Sequence, residues 1–84
     1  MKYAVIDIGT NTTRLLVRDD QTPKQDVLRK VSITRLGNGL EKTGVLNEES
    51  MSTTRSCVQG YVQDAVELGV EKSNIKIFAT AARK

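Results

Sequence analysis

Residues 4–17, AVIDIGTNTTRLLV, decide how the chain begins to fold. The apolar run at residues 3–8 has the length and the Val/Ile content of a buried strand, and residues 15–17 resemble its antiparallel partner. A short polar segment that contains one glycine separates the two runs. The stretch therefore predicts a β-hairpin with its turn beside Gly9.

Asp7 interrupts the first apolar run. A carboxylate in a buried strand loses its hydration unless it meets a cation or hydrogen-bond donors, and a metal ion or a phosphate–Mg²⁺ cluster would be such a partner. Gly9 lets the backbone turn tightly and lets an anion approach closely. The hydroxyl, amide and backbone N–H groups that could then hold phosphate oxygens belong to Thr10, Asn11, Thr12 and Thr13.

The same residues are also typical of an ordinary hairpin turn. Gly and Asn tolerate positive φ, and Asp and Thr hydrogen-bond to nearby backbone. Short motifs of this kind often occur by chance. From the residues alone, a structural turn and a ligand-binding loop both remain open.

The composition limits the class of protein. The 84 residues are 38% hydrophobic and 27% charged, with no apolar run near the ~20 residues that span a bilayer and no secretory signal, so we expect a cytoplasmic protein with no membrane partner. One cysteine rules out an internal disulfide, and the lack of histidine argues against a zinc site. With three aromatic residues and a net charge of +3 spread without a long basic run, we expect no nucleic-acid partner.

A third strand is expected at residues 27–36. The residues alternate there, with Val31 and Ile33 on one side and polar residues on the other, as in a half-exposed antiparallel strand. Arg29 and Lys30 are interpreted as solvated side chains that protect a sheet edge.

A packing helix is expected between Asn47, which can cap it, and Gly69, which would end it as the C′ residue. An apolar face recurs at three- and four-residue steps. Its members are Met51, Val58, Tyr61, Val62, Ala65, Val66 and Leu68. Gly60 is interpreted as a close approach of the helix to the sheet. Residues 75–80 then predict a strand that returns after a helical crossover, parallel to an earlier strand.

Three segments carry a resemblance to a known family. Residues 4–17 resemble the first phosphate-binding segment of the exopolyphosphatase and guanosine pentaphosphate phosphohydrolase family, within the actin, sugar kinase and heat-shock chaperone superfamily. Residues 35–46, RLGNGLEKTGVL, are similar to the family's third-strand exit, and residues 79–83, ATAAR, to its Ala-Thr-Ser-Ala-x-Arg motif. Ala81 stands where Ser is usual and lacks its hydroxyl.

The resemblance implies a fold. It is an α/β, ribonuclease H-like (actin-like) partial domain, with a mixed sheet of three antiparallel strands plus a parallel fourth strand after the crossover helix. The last strand would lie beside the first. Residues 1–84 would be the N-terminal part of the first actin-like domain, with the remainder of the enzyme absent. Because one helix covers only one face of such a sheet, we expect the chain to self-associate as a dimer or larger species.

The resemblance also implies an activity. The full-length protein would hydrolyse phosphoanhydride bonds of inorganic polyphosphate, guanosine pentaphosphate or both. Asp7 would hold Mg²⁺, and the phosphate-binding residues would be the loop from Gly9 to Thr13 together with Arg35 and Arg83. The catalytic glutamate would lie beyond Lys84, so this chain alone would be inactive. The alternative is a non-catalytic phosphate- or nucleotide-binding module or remnant of the same superfamily.

Overall fold

The computed structural model describes residues 1–22, 25–36 and 48–79. One mixed sheet of four strands, in the order β3-β2-β1-β4, carries a long helix on one face. The elements are β1 (Lys2–Ile8), β2 (Thr12–Asp19), β3 (Asp26–Ile33), the helix α1 (Glu48–Glu67), a 3₁₀ turn (Lys72–Asn74) and β4 (Ile75–Ala79).

The strand pairing confirms the predicted topology. β2 pairs antiparallel with both β1 and β3, whereas β4 pairs parallel with β1. Ile8 at the end of β1 is the register partner of Ala79 at the end of β4. The carboxyl ends of the first and last strands therefore open at one edge of the sheet, next to the loop that follows β1.

The core lies between the sheet and α1. Side chains alternate between the two faces of a strand, and in the middle of β1 and β2 every second residue is buried on the helix side. The core residues are Ala4, Ile6, Leu15, Val17, Tyr61, Ala65 and Val70. Burying a large aliphatic side chain contributes about 1.5–3 kcal/mol, so these few residues hold most of the fold together.

α1 ends as its sequence predicts. Gly69 has φ +95, its N–H donates to the Val66 carbonyl over 3.0 Å, and the Val70 N–H donates to the Ala65 carbonyl over 3.0 Å. These two bonds form the Schellman motif, which needs a residue with positive φ at this point. The Lys2 ammonium adds a third bond at 2.7 Å to the Leu68 carbonyl. The helix C-terminus is thereby fixed to the start of β1.

The buried face of α1 differs in part from the predicted apolar face. Ser50 and Thr54 are buried at its N-terminal half, where the Thr54 hydroxyl donates to the Ser50 carbonyl over 2.8 Å. Val66, assigned to the apolar face, is 36% exposed. The interpretation of Gly60 is wrong, because a Cβ built there has no atom within 4 Å.

β3 also corrects the prediction. The strand spans Asp26–Ile33, whereas the sequence predicts residues 27–36. The predicted alternation is confirmed: Val31 and Ile33 share the face opposite α1, where they are 57% and 70% exposed. Arg29 and Lys30 are ion-paired as well as solvated: Arg29 contacts Asp26 at 3.0 Å, and Lys30 contacts Asp64 of α1 at 2.7 Å.

Within the described ranges, no helix is long and apolar enough to cross a membrane. The cytoplasmic location stays a prediction.

Candidate functional site

The loop between β1 and β2 is closed by one short backbone bond. The Gly9 N–H donates to the Thr12 carbonyl over 2.8 Å. A Cβ at Gly9 would lie 3.0 Å from that same carbonyl oxygen, which is tighter than ordinary van der Waals contact. Glycine is therefore the residue that lets this turn close, and its N–H is used within the turn.

The chain after β3 is tied to this loop. The Asn11 carbonyl accepts two backbone hydrogen bonds, from the N–H groups of Thr34 and Arg35, each 3.0 Å long. Arg35 has φ 52, in the left-handed region that a non-glycine residue rarely adopts. The exposed Arg35 thus stands directly beside the loop that the sequence marked for phosphate binding.

Asp7 carries a buried oxygen without a partner. Its Oδ1 is inaccessible to solvent and makes no hydrogen bond to any described residue. Arg14 is the register partner of Asp7 in β2, yet none of the ion pairs in the described part of the chain joins them. Because an unpaired buried carboxylate oxygen is unfavourable, this atom is suited to hold a cation or a donor from a ligand.

Asp7 borders a depression on the sheet face opposite α1, which we call the open face. The depression has a volume of about 320 Å³. It is lined by Val5, Asp7, Arg14, Leu15, Leu16, Arg29, Lys30 and Val31. Leu15 belongs to the core and Lys30 pairs with Asp64 of α1, so their side chains lie on the other face. The charged side chains on the open face of the depression are therefore Asp7, Arg14 and Arg29, among apolar neighbours.

Thr13 points the other way. It is 0% exposed, and its hydroxyl lies 2.9 Å from the hydroxyl of Thr34, which is 4% exposed. Thr10 and Thr12 are partly exposed, and Asn11 is exposed. The structure therefore brings Gly9, Thr10, Asn11, Thr12 and the Arg35 backbone together, while the Thr13 side chain is buried on the helix side.

The network around Thr13 reaches α1. The Tyr61 hydroxyl lies 2.6 Å from the Ser32 hydroxyl and donates to the Thr13 carbonyl over 3.3 Å. Burial is the main cause that raises the pKa of Tyr61 above its ordinary value, so the phenol stays protonated and able to donate.

Arg83 and Thr80, and most of the two supporting segments, lie outside the described residues. Where the structure does describe the chain, no group of three or more His, Cys, Asp or Glu residues could hold a metal ion by itself. A divalent cation at Asp7 would therefore need oxygen ligands from a substrate or from water.

Comparison with known proteins decides the family. Residues 5–84 match the Ppx/GppA phosphatase family. The chain belongs to this family. It is similar to the bifunctional 3-dehydroquinate synthase/phosphatase of Fusobacterium nucleatum, with 34% identity over 96% of this chain and 13% of the relative. Exopolyphosphatase 2 of Mycobacterium tuberculosis is 32% identical over 99% of this chain and 27% of its own length.

Solved structures of Ppx/GppA proteins share the fold. The Ppx/GppA phosphatase of Aquifex aeolicus matches with a TM-score of 0.86 and 31% identity, over 94% of this chain and 26% of that protein. An exopolyphosphatase from Cytophaga hutchinsonii, at 24% identity, matches in fold with a TM-score of 0.78 over 100% of this chain and 28% of its own. The predicted actin-like partial domain is confirmed, and the chain spans about a quarter of these structures.

Two features of this Ppx/GppA site were missed by sequence reasoning. The double acceptor role of the Asn11 carbonyl and the Thr13–Thr34 hydroxyl pair join residues more than 20 positions apart. Local patterns contain no signal for such pairs. The alternation of β2 could have placed Thr13 on the buried side, because Leu15 and Val17 share its parity.

Proposed function

We propose that this chain is the phosphate-binding part of a phosphatase that hydrolyses phosphoanhydride bonds of inorganic polyphosphate, guanosine pentaphosphate or both. The observation that carries the proposal is the buried, unpartnered Oδ1 of Asp7 close to a loop that is fixed to Arg35. Similarity to exopolyphosphatase 2 of Mycobacterium tuberculosis and membership of a phosphatase family support this choice of chemistry.

In the proposed site, Asp7 holds Mg²⁺. Magnesium is commonly bound through one or two carboxylates together with waters and phosphate oxygens, which fits a site with one acid. When bound there, the ion neutralises charge on the transferred phosphoryl group and its neighbours.

The loop positions the substrate. The Thr10 and Thr12 hydroxyls and the Asn11 amide offer hydrogen bonds to phosphate oxygens, and they are at least partly exposed. The guanidinium groups of Arg35 and Arg83 neutralise the charge of a polyanionic chain. We assign no phosphate contact to Thr13, because its side chain is buried and its hydroxyl is bonded to Thr34.

Water activation is assigned to a glutamate beyond Lys84. Histidine does not occur in the chain, and Asp7 cannot readily hold a metal and act as a base at once. The 84 residues alone are therefore proposed to bind polyphosphate weakly and to hydrolyse none. A non-catalytic phosphate- or nucleotide-binding module is the alternative, favoured by Asp7 being the one acidic residue among those that line the depression.

Phosphate release tests this proposal. The full-length protein and the 84-residue chain are each incubated with polyphosphate and with guanosine pentaphosphate in excess Mg²⁺. We expect release from at least one substrate by the full-length protein and none by the short chain. Binding without release by the full-length protein would support the non-catalytic alternative. Release by the short chain that is lost on Asp7→Ala would show that the catalytic base lies within these residues.

We further propose that the isolated chain self-associates through the open face. Tyr3, Val31, Ile33 and Phe78 are 38%, 57%, 70% and 50% exposed there or at its border. Large apolar side chains grouped on one surface are uncommon in soluble monomers. A second copy of the chain would cover them.

A further inference from the structure

The Thr13 and Thr34 hydroxyls form a buried pair at the root of the loop. Thr13 is the second residue of β2, and Thr34 directly follows β3. They are 0% and 4% exposed, and the distance between their Oγ1 atoms is 2.9 Å. One hydroxyl must donate to the other, so neither loses its partner on burial.

Backbone hydrogen bonds connect the pair to the loop of the candidate site. The N–H groups of Thr34 and of its neighbour Arg35 both donate to the Asn11 carbonyl. Arg35 has φ 52, a conformation that costs free energy for any residue with a Cβ and persists only where its surroundings impose it. The Thr34 side chain supplies one such constraint, because its hydroxyl fixes the residue just before Arg35.

The pair is also held from the helix side. The Tyr61 hydroxyl of α1 donates to the Thr13 carbonyl, and the Ser32 hydroxyl contacts the same phenol at 2.6 Å. A continuous set of hydrogen bonds therefore runs from α1 through Thr13 and Thr34 to the Asn11 carbonyl.

We propose that Thr13 and Thr34 are positioning residues for the phosphate-binding loop. Neither touches the substrate; together they hold the chain after β3 so that the Arg35 backbone stays bonded to the loop at the Asn11 carbonyl. This inference rests on the proposed function, and it gives Thr13 an indirect role in place of a phosphate contact.

Valine tests this role, because it keeps the shape of threonine and removes the hydroxyl. In the full-length protein, Thr13→Val or Thr34→Val alone leaves one buried hydroxyl unpaired, so each should lower Tm. The double variant leaves none unpaired, and its Tm should recover most of the loss. We expect its KM for polyphosphate to stay raised by about tenfold, with kcat within about twofold, because the loss of one charge-assisted contact is of that size. A double variant with recovered Tm and wild-type KM would overturn the proposal.

Matched variants separate positioning from stability. Thr54→Val removes another buried hydroxyl, which bonds to Ser50 within α1, and should lower Tm without changing KM. Thr13→Ser with Thr34→Ser keeps both hydroxyls and should keep KM. In an Arg35→Gly background, which tolerates φ 52 without a Cβ, the double valine change should raise KM no further. A further tenfold rise in that background would show that the pair does not act through Arg35.

Amide hydrogen exchange tests the inference without any measurement of enzymatic activity. In the double valine variant, the Thr34 and Arg35 amides should exchange at least about tenfold faster than in the wild type, while core amides of β1 keep their rates. Unchanged rates at both amides would overturn the inference even if the enzyme is active. Absence of turnover in the wild type would contradict the proposed function alone. If the double variant does not fold, KM and exchange are measured on Thr34→Val.

Discussion

The two faces of the sheet satisfy their polar groups in different ways. On the face covered by α1, the hydroxyls of Thr13, Thr34 and Tyr61 are bonded to one another or to backbone, among apolar side chains. On the open face, Asp7 Oδ1 has no partner among the described residues, and Ile33 is 70% exposed. The covered face therefore accounts for stability, and the open face keeps groups that a ligand or another protein surface can use.

The largest expected difference between the faces is in core packing. Leu15 is 1% exposed on the covered face, and its neighbour Leu16 lines the open depression. Leu15→Ala should destabilise the chain by about 2–5 kcal/mol, because it leaves a cavity. Leu16→Ala should cost less than about 1.5 kcal/mol, since the side chain already contacts solvent. Urea unfolding of both variants at one low protein concentration measures the free energy of unfolding. An equal decrease in both variants would show that the two faces do not differ in their contribution to stability.

The second largest effect is expected for self-association through the open face. Ile33→Lys places a charge in the apolar part of the open face and should weaken the dimer by about tenfold or more, since burying an isoleucine contributes about 1.5–3 kcal/mol. Gln59→Lys makes the same change of charge at an exposed position of α1 and should leave the dimer intact. Sedimentation measures both. A wild-type chain that stays monomeric at micromolar concentration would refute the proposed dimer.

A smaller effect should appear at alkaline pH on the covered face. The pKa of Tyr61 is raised above its ordinary value of 10.0, mainly by burial. The fold thus favours the protonated phenol, whose stabilisation is complete below the unfolded pKa and is lost as pH rises through the folded pKa. Tyr61→Phe should cost about 1 kcal/mol at neutral pH, and the difference from the wild type should shrink above pH 10. Urea unfolding from pH 8 to about 11 checks this; a pH-independent difference would contradict it.

Much of the fold could be predicted from local patterns. The apolar run of β1, the Gly9 turn and the glycine at the end of α1 each produce their structure through nearby residues. A strand that returns after a helical crossover is normally parallel to its neighbour, which predicts the observed parallel pairing of β4 with β1.

The side of the sheet that α1 covers could not be predicted. Alternation in β3 separates Val31 from Ser32, but it does not say which of the two faces the helix. The register with β2 decides this, and it places Val31 beside Arg14 on the open face.

The candidate site could be predicted only in part. Asp7, Gly9 and Asn11 are visible as a local cluster of polar and small residues in an apolar context. The contacts that fix the loop join Thr13 to Thr34 and Asn11 to Arg35, across the turn and the whole of β3. Such long-range hydrogen bonds depend on strand register, which a single sequence specifies only through its hydrophobic pattern.

The most direct test of the account is the Mg²⁺-dependent turnover of an Asp7→Asn variant of the full-length protein. Asparagine keeps the size of the side chain and removes its charge, so the fold should remain and turnover should fall by on the order of 10²-fold or more. Asp20→Asn, at an exposed position of the same domain, is the matched control and should keep wild-type turnover. If folded Asp7→Asn protein retains the specific activity of the wild type, Asp7 is a structural residue and the proposed phosphate–magnesium site is wrong.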